Sequence, residues 1–440
     1  MKNRRDYLPV LLKKIRQKKA KIGIIGLGYV GLPLAVEFAR VGFRILGVDI
    51  SEEKIKKLRR GKTYVTDVNN TDIKEFVIRK KNISISSSYR ILKKADIICI
   101  TVPTPLKKTK DPDISFIVAA VTEIKKILHP GMLIVLESTT YPGTTRELIA
   151  AEIAQLGYVV GKDFFVAYSP ERVDPGNPDF RTKNITKVLG AMTEKGKELS
   201  YELYATFLTH IHLVDTVEEA EMSKLLENTF RAVNIGLVNE MSIMCDRMGI
   251  NIWNVIDAAS TKPFGFMPFY PGPGIGGHCI PLDPLYLSYR AKMYNFYNRF
   301  IELATDINGN MPRFILSKLS SVLNKEKKSL HGSKILLLGL AYKANVNDIR
   351  ESPSLEMFRL LLDERAKVDY FDPFIPEFVE GKKRVKSIAL KPEGVKKYDC
   401  IVITTAHDDV DYEMVLKNAR AIFDTRNVYK GIKSDKITTL

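Results

Sequence analysis

One cysteine lies in a loop rich in glycine and proline, and its thiol is the most reactive group that the sequence offers. Segment 271–284 holds four glycines and four prolines, a composition that excludes regular helix and central strand. Cys279 follows Gly276 and Gly277, whose small size lets backbone N–H groups approach an anion, and it precedes Asp283. A free cysteine is often simple apolar filling, but this loop favours a nucleophilic thiol.

The other cysteines have different surroundings. Cys99 and Cys400 fall inside apolar strand-like runs and Cys245 inside a helical one, so we expect inert core thiols. The four cysteines lie far apart and form no CxxC or Cys/His spacing of a metal site. We therefore expect no metal, and the scattered thiols indicate a reducing, cytoplasmic compartment.

A phosphate-binding pattern begins near the N-terminus. A buried strand leads into Gly26-x-Gly28-x-x-Gly31, a helical pattern follows, and the next strand ends at Asp49. Gly26 permits a tight turn, Gly28 lets a pyrophosphate approach and Gly31 lets the helix pack on the strand. Asp49 can accept a hydrogen bond from a ribose 2′-OH and would repel a 2′-phosphate, which favours NAD over NADP. Lys54, one turn further on, weakens that preference slightly.

Further strands end in turns that carry polar residues. The apolar run 95–102 leads into the rigid turn 103–105, and the run 131–140 ends in Ser and Thr. A third run, 164–168, is followed by Glu171. Open α/β sheets bind ligands at the carboxyl ends of their strands, so these turns should share one edge. Glu171 is there a candidate base for activating water, although it could equally cap the following segment.

A long helix is predicted from about Thr216, because apolar residues recur at helical spacing for some thirty positions. Lys224 and Asn228 are four residues apart and therefore point the same way. A helix this apolar should pack on several sides and carry both groups into the interior, where polar groups need partners. The helix also suits a subunit interface, so we expect a homodimer.

A second α/β pattern starts near residue 333 and lacks the glycine-rich loop. Lys343, Arg350 and Arg426 lie just past predicted strands, where cations could meet phosphates or a uracil. The predicted fold class is therefore α/β, with two Rossmann-like doubly wound domains joined by a central helical domain that contains one long helix.

The predicted domains are 1–205 for the dinucleotide, 206–325 for the central helices and 326–440 for the second doubly wound unit. Residues 1–20 form a basic leader, which we expect to be an amphipathic helix packed on the first domain. No run of 18 apolar residues occurs, so no membrane span is predicted.

The net charge of +17 raises the possibility of nucleic-acid binding. The Lys and Arg residues are scattered, however, without interleaved aromatic residues or a helix-turn-helix pattern. A basic field also attracts small anions such as dinucleotides and nucleotide sugars. We expect neither nucleic-acid nor membrane partners.

A series of motifs, in chain order, resembles the UDP-glucose/GDP-mannose dehydrogenase family. The motifs are GLGYVGLPLAVEFA, VPTP, ESTTYPGTT, SPERVDPGN, SKLLENTFRAVNIGLVNE, GPGIGGHCIPLDP, GLAYKANVNDIRESPS and FDTRN. The resemblance spans residues 20–430 and implies a four-electron, NAD-dependent nucleotide-sugar 6-dehydrogenase. TKPFGFMPFYPGPG, SPERVDPGN and NRFIELATDIN further resemble the branch that acts on UDP-N-acetylglucosamine, with UDP-GalNAc, UDP-ManNAc and UDP-glucose as alternatives.

The resemblance implies catalytic roles for particular residues. Cys279 would be the nucleophile that forms a thiohemiacetal and then a thioester, and Asp283 would assist proton transfer. Lys224 and Asn228 would stabilise oxyanions. Glu171, with Thr139 nearby, would activate the hydrolytic water; these two complete the implied catalytic set.

The resemblance also implies two groups of binding residues. Residues implied to hold NAD are Gly26, Gly28, Tyr29, Val30, Gly31, Asp49, Lys54, Val102, Pro103, Thr104, Ser138, Thr140 and Arg350. Residues implied to hold the UDP-sugar are Arg172, Gly274, Gly276, Gly277, His278, Tyr342, Lys343 and Arg426. Glucose-type members usually carry Lys where this chain has Leu282, so the hexose stays open.

Overall fold

The computed structural model describes residues 6–65, 67–107, 109–173 and 184–440. Residues 1–5 of the predicted leader and residues 174–183 of the SPERVDPGN motif and its continuation lie outside the described residues. The chain divides into two compact units: one extends to Glu227 and includes Leu285–Tyr294, and the other comprises Asn228–Pro284 and Asn295–Leu440. The three-domain division proposed from the sequence stays a prediction.

The strands and helices alternate through most of the chain. The strands are β1 Lys21–Ile25, β2 Arg44–Val48, β3 Ile83–Ser86, β4 Ile97–Ile100, β5 Met132–Leu136, β6 Phe164–Tyr168, β7 Lys187–Ala191, β8 Ile211–Leu213, β9 Lys334–Leu338, β10 Lys367–Phe371, β11 Glu377–Glu380, β12 Lys383–Lys386, β13 Cys400–Ile403, β14 Ile422–Asp424 and β15 Ile437–Thr439. The α-helices are α1 Leu8–Arg16, α2 Gly31–Arg40, α3 Glu52–Arg59, α4 Asn70–Ile73, α5 Ser115–Ile127, α6 Ala151–Ala154, α7 Glu194–Tyr204, α8 Val217–Met248, α9 Ile252–Ser260, α10 Asp283–Lys292, α11 Arg299–Lys325, α12 Pro353–Asp363, α13 Pro392–Val395 and α14 Tyr412–Asn418.

The first sheet has the strand order β3-β2-β1-β4-β5-β6-β7-β8 among the described residues. Its pairs are parallel except β6 with β7. Every residue of β4, β5 and β6 is buried, as expected for strands covered by helices on both faces. After β1 the chain adds β2 and β3 on one side, and it then crosses to β4 on the other side of β1. Ligands bind at such a switch point.

The second sheet has the order β10-β9-β13-β14-β15, and all its pairs are parallel. Together with the long helix α8, which lies between the two sheets in sequence, it confirms the predicted fold class. Within the described part of the chain, no helix has the length and apolar character that crossing a bilayer demands.

Helix α1 lies in the described part of the basic leader, and it packs on the first unit as expected. Leu11, Leu12 and Ile15 are buried in the core. Arg16 forms a bidentate pair with Glu202 of α7, with N–O distances of 3.0 and 2.9 Å. The apolar face of α1 is therefore covered by protein, and its basic face is exposed.

Helix α11 contains Pro312 at an interior position, where a proline usually kinks or breaks a helix. The helix runs through Pro312 without a break. Proline lacks the N–H that would bond to the Asn308 carbonyl, so that oxygen is released from the helix ladder. A Cβ built on Gly274 would lie 2.8 Å from this same oxygen, so the glycine segment approaches it closely. A local rule about proline is overridden here by packing.

The first unit buries an ion pair beneath its sheet. Glu137, 1% exposed, follows β5, and its carboxylate accepts from Lys187 Nζ of β7 at 2.9 Å and from the Tyr204 hydroxyl. Burial alone would lower the pKa of Lys187, but the Glu137 and Glu171 carboxylates outweigh burial and raise it. The ammonium therefore stays charged and joins β7 to the end of β5.

Replacing Lys187 by Met should lower the free energy of unfolding of the first unit by about 3–5 kcal/mol, because it leaves a buried carboxylate without its cation. Urea denaturation followed by hydrogen exchange in β5 and β7 measures the loss. Replacing both Glu137 and Lys187 by Met should recover most of it. The exposed pair of Lys126 with Glu123 is the control, and Lys126→Met should cost about 0–1 kcal/mol. Equal losses at the two lysines would contradict this account.

Candidate active site

The glycine turn after β1 has the geometry that a diphosphate requires. Gly26 has a φ of +93°, and a Cβ on it would lie 2.7 Å from the Thr101 carbonyl oxygen. A Cβ on Gly31 would lie 1.9 Å from the Gly26 oxygen, so α2 could not begin there with any other residue. Around Gly28, by contrast, no described residue other than its two chain neighbours has an atom within 4 Å of such a Cβ. The turn is thus closed where it packs and open where a pyrophosphate would approach.

Asp49 fixes this turn as well as offering an acceptor to a ribose. The carboxylate, 6% exposed, accepts from the Leu27 and Ser51 N–H groups at 2.9 Å each. Lys54 Nζ lies 3.4 Å from Oδ2 of Asp49. The Tyr64 hydroxyl donates to the Leu27 carbonyl at 2.6 Å. These contacts make a preformed site, and its residues fit the NAD that the sequence predicts.

The other predicted cofactor and water-activating residues of the first unit follow β1, β4, β5 and β6. They are Tyr29, Val30, Val102, Pro103, Thr104, Ser138, Thr139, Thr140 and Glu171. Thr139 is half-buried and follows β5, whereas Thr140 is fully buried and its hydroxyl is bonded to that of Thr144 at 2.6 Å. Ser138 donates to the Val102 carbonyl at 2.7 Å, which ties two of these turns together.

Glu221 holds the turn after β5, and sequence reasoning missed it. Its carboxylate is fully buried and accepts from Gly143 N–H at 2.6 Å and from the N–H and hydroxyl of Thr145 at 2.8 and 2.7 Å. Glu221 lies on α8, three residues before Lys224, which is 8% exposed. A carboxylate among the apolar residues of a long helix was the available signal, but its partners are 76 or more residues away.

Glu171 and Arg172 are both engaged within the first unit. Oε1 of Glu171 accepts from the backbone N–H groups of Arg172 and Val173, each at 2.8 Å. The Arg172 guanidinium lies 2.6 Å from Glu227 and donates to the Thr186 carbonyl at 2.7 Å. The two side chains therefore have fixed orientations, and Arg172 has a carboxylate partner of its own.

Two backbone N–H groups of the glycine segment before Cys279 donate to acceptors on other elements. Gly272 N–H donates to Oδ1 of Asn239 at 3.0 Å, and Gly277 N–H donates to the Arg350 carbonyl at 3.0 Å. Asn239 on α8 is fully buried and donates in turn to Oδ1 of Asn308 on α11 at 2.8 Å. The amide of Gly277 is thus used in positioning the segment, not directed at a ligand.

Cys279 is half-buried and leads directly into α10. Its carbonyl accepts from the Leu282 and Asp283 N–H groups at 3.1 and 2.8 Å. The Asp283 carboxylate, 4% exposed, accepts from Nδ2 of Asn228, which is 5% exposed, at 2.5 Å. The structure therefore brings the predicted Asn228 and Asp283 together, and it places Asp283 one helical turn after the thiol.

The glycines before Cys279 lie close against Tyr342, in the loop after β9. A Cβ on Gly276 would lie 2.6 Å from the Tyr342 Cβ, and one on Gly277 would lie 2.8 Å from the Tyr342 ring. The Arg350 guanidinium pairs with Asp348, with N–O distances of 2.6–3.0 Å. Burial would raise the pKa of Asp348, but the hydrogen bonds and charge of Arg350, with a smaller contribution from His278, outweigh burial and lower it.

A cavity of about 470 Å³ in the second unit collects the predicted residues for the UDP end. Its polar and aromatic wall is formed by Tyr342, Lys343, Arg426, Trp253, Tyr270 and Asn427. The rings of Trp253 and Tyr270 are stacked with centroids 6.0 Å apart. Arg426 donates to the Thr404 carbonyl at 2.8 Å, and desolvation lowers the pKa of its guanidinium to about 10 despite the nearby Asp424 carboxylate. A cation beside stacked rings suits a nucleotide.

Comparison with known sequences also indicates a protein that binds NAD and a nucleotide. Three domain models of the UDP-glucose/GDP-mannose dehydrogenase family match: the NAD-binding domain over residues 20–208, the central domain over 218–310 and the UDP-binding domain over 336–431. The chain is similar to a UDP-N-acetyl-D-glucosamine 6-dehydrogenase of Pseudomonas aeruginosa, at 34% identity over 94% of this chain and 97% of that one.

Solved structures resemble the fold closely. A UDP-D-ManNAc dehydrogenase from Pyrococcus horikoshii superposes with a TM-score of 0.86 at 34% identity, covering 95% of this chain and 98% of that one. An NDP-N-acetyl-D-galactosaminuronic acid dehydrogenase from Methanosarcina mazei Go1 gives 0.80 at 29% identity, covering 99% and 97%. The fold and the sites define an NAD-dependent oxidoreductase of nucleotide sugars. The chain belongs to the UDP-glucose/GDP-mannose dehydrogenase family.

Proposed function

We propose that this enzyme oxidises the C6 alcohol of UDP-N-acetylglucosamine to the uronic acid, a four-electron reaction. The observation that carries the proposal is the half-buried Cys279 thiol in a braced glycine segment, one turn before the bonded Asn228–Asp283 pair. A thiol in this position can hold an aldehyde covalently until its second oxidation. The other three cysteines are buried and do not offer this chemistry.

Two successive oxidations convert the alcohol into a thioester on Cys279. NAD, when bound, supplies the hydride acceptor for each of the two oxidations. The alcohol loses a hydride and a proton, and Asp283 assists the proton transfer. The Cys279 thiolate adds to the resulting aldehyde to give a thiohemiacetal, whose loss of hydride and proton leaves a thioester. Lys224 and Asn228 stabilise the alkoxide and the tetrahedral anions.

Hydrolysis completes the reaction. Water adds to the thioester carbonyl, the carbon–sulfur bond breaks, and the acid and free thiol are released. Glu171, with Thr139 nearby, activates this water. The orientation of Glu171 by two backbone N–H groups supports this role. Arg172, whose side chain is paired with Glu227, is proposed to contact the substrate from the same turn.

The binding residues divide between the two ligands. NAD is held by the 26–31 turn and by Asp49 with Lys54, together with the turns after β4 and β5 and with Arg350. The uridine diphosphate is held in the 470 Å³ cavity by Tyr342, Lys343 and Arg426. The backbone of segment 274–278 contacts the sugar, and its side chain His278 shapes this contact.

The choice of hexose rests on sequence motifs, because relatives of similar identity bear different sugar names. The TKPFGFMPFYPGPG and NRFIELATDIN motifs favour UDP-N-acetylglucosamine, and Leu282 disfavours UDP-glucose. All four cysteines are free, which supports the cytoplasmic location expected from the sequence.

A substrate panel should discriminate among the sugars. Among UDP-N-acetylglucosamine, UDP-GalNAc, UDP-ManNAc and UDP-glucose, we expect the first to give the highest kcat/KM and two NADH for each sugar consumed. Absorbance of NADH at limiting sugar measures both quantities. A higher kcat/KM for another sugar would overturn the hexose assignment, and one NADH per sugar would overturn the four-electron chemistry.

Replacing Cys279 by Ser should remove acid formation while leaving the fold intact. The loss of a covalent nucleophile should lower kcat on the order of a thousandfold or more. Chromatography of the products identifies any acid that still forms. Cys245→Ser, in a buried thiol of the same unit, is the matched control and should retain turnover. Full acid production by the Cys279 variant would refute the thioester route.

We further propose a homodimer that uses exposed apolar residues of α8 and α11 in the second unit. Phe230, Leu237 and Met248 are 47–61% exposed, and Phe300 and Leu303 are 75% and 53% exposed. Apolar side chains clustered along two helices are costly to leave in water and typical of a protein interface.

Light scattering coupled to size-exclusion chromatography should give the mass of a dimer of 49.8 kDa chains. Leu237→Lys should shift the protein to monomer, since it puts a charge into the apolar surface. Leu362→Lys, at a similarly exposed residue of α12, is the control and should leave the dimer unchanged. A monomeric wild-type protein would exclude this interface.

A further inference from the structure

One loop contacts both the cavity and the Cys279 segment. The 342–351 loop follows β9 and begins with Tyr342 and Lys343, which line the cavity. At its other end, the Arg350 carbonyl accepts from Gly277 N–H at 3.0 Å. The Tyr342 side chain also packs against Gly277. The position of this loop therefore affects the nucleotide cavity and the backbone next to the thiol at the same time.

Asn345, in the middle of the loop, is hydrogen-bonded to the turn after β13. Its backbone N–H donates to Nδ1 of His407 at 3.0 Å. Its side chain donates to Oδ2 of Asp408 at 2.6 Å and accepts from the Asp408 N–H at 3.1 Å. Asn345 has a φ of +62°, a left-handed conformation that Asn tolerates better than most residues. These three hydrogen bonds fix the loop to the turn after β13.

His407 is in turn fixed by a buried carboxylate. The ring is 1% exposed, and its Nε2 lies 3.0 Å from Oδ2 of Asp372. A backbone N–H can only donate, so Nδ1 must carry the lone pair that faces Asn345, and Nε2 must carry the proton that faces Asp372. The Asp372 carboxylate also accepts from four backbone N–H groups, those of Leu340, Ala341, Phe374 and Ile375.

We propose that His407 is a positioning residue that couples nucleotide binding to the placement of the Cys279 thiol. Its Nδ1 sets the position of Asn345, and Asn345 sets the path of the 342–351 loop. That path directs Tyr342 and Lys343 toward the cavity and presents the Arg350 carbonyl to Gly277. The inference rests on the proposed function for the cavity as the site of the uridine diphosphate. The His407 ring is bonded to Asn345 and Asp372, and neither of these residues lies in the cavity lining or in the thiol segment.

Two conservative variants separate this role from a general contribution to stability. In His407→Asn, the amide oxygen stands near the place of Nδ1 and can still accept from Asn345. In His407→Gln, the amide nitrogen stands near the place of Nε2 and can donate to Asp372, but the Asn345 N–H loses its acceptor. A buried N–H without an acceptor is costly, so only the Gln variant should move the loop.

Two readouts follow the two ends of the loop. Trp253 is the sole tryptophan of the chain and lines the cavity, so its fluorescence reports UDP binding in the absence of any reaction. The rate at which iodoacetamide alkylates Cys279, measured by peptide mass spectrometry with buried Cys245 as internal reference, reports the thiol segment. His331→Gln, at an exposed histidine of the same unit, controls for the substitution itself.

We expect His407→Gln to weaken UDP binding about tenfold, the effect of leaving one buried donor unsatisfied, and to change the Cys279 alkylation rate by a similar factor. His407→Asn and His331→Gln should stay close to wild type in both readouts. Wild-type values for His407→Gln, or equal impairment of His407→Gln and His407→Asn, would overturn the inference.

Two further outcomes are also decisive. If His407→Gln does not fold, His407→Ala replaces it, because the shorter side chain also removes the acceptor of the Asn345 N–H. A change in both readouts relative to His407→Asn supports the inference, and wild-type values overturn it. If wild-type protein does not bind UDP, the proposed function of the cavity fails, and the alkylation rates of the same variants still decide whether His407 controls the thiol segment.

Discussion

The site depends on one constraint: a reactive segment without regular structure must have its backbone groups satisfied from outside. Segment 271–284 has too many glycines and prolines to form its own ladder. Asn239 accepts from Gly272, and the Arg350 carbonyl accepts from Gly277. The position of the thiol segment therefore depends on residues of α8 and of the loop after β9. Glycine is required there because Tyr342 and neighbouring backbone leave no room for a Cβ.

The first unit meets a similar constraint with carboxylates. Asp49 accepts from the Leu27 N–H at the glycine turn and from the Ser51 N–H after β2, and Glu221 accepts from two backbone N–H groups at the turn after β5. Buried carboxylates are stable only where donors surround them, so each turn and its acid fix one another. Because Glu221 and Lys224 lie on the same helix, the turn after β5 and the proposed oxyanion group are held by one rigid element.

Local patterns predicted the fold and the glycine turn well, because their causes are local. The spacing of Gly26, Gly28 and Gly31 follows from the geometry of one tight turn, so the sequence alone predicts that turn. The bracing residues could not be found in this way. Asn239 meets a partner 69 residues away and Asn345 one 62 residues away, and a single sequence does not reveal such pairs. Pro312 lies inside α11, where packing outweighs the local tendency of proline to break a helix.

We propose that the Cys279 sulfur carries the sugar between two oxidations. Acid-quenched mixtures of the wild-type protein with NAD and UDP-N-acetylglucosamine, sampled within one turnover and digested for mass spectrometry, test it most directly. The account predicts a peptide containing Cys279 whose added mass equals the nucleotide sugar oxidised to the acyl level. Accumulation of acid with Cys279 unmodified at every time, or with an adduct on another residue, would contradict it.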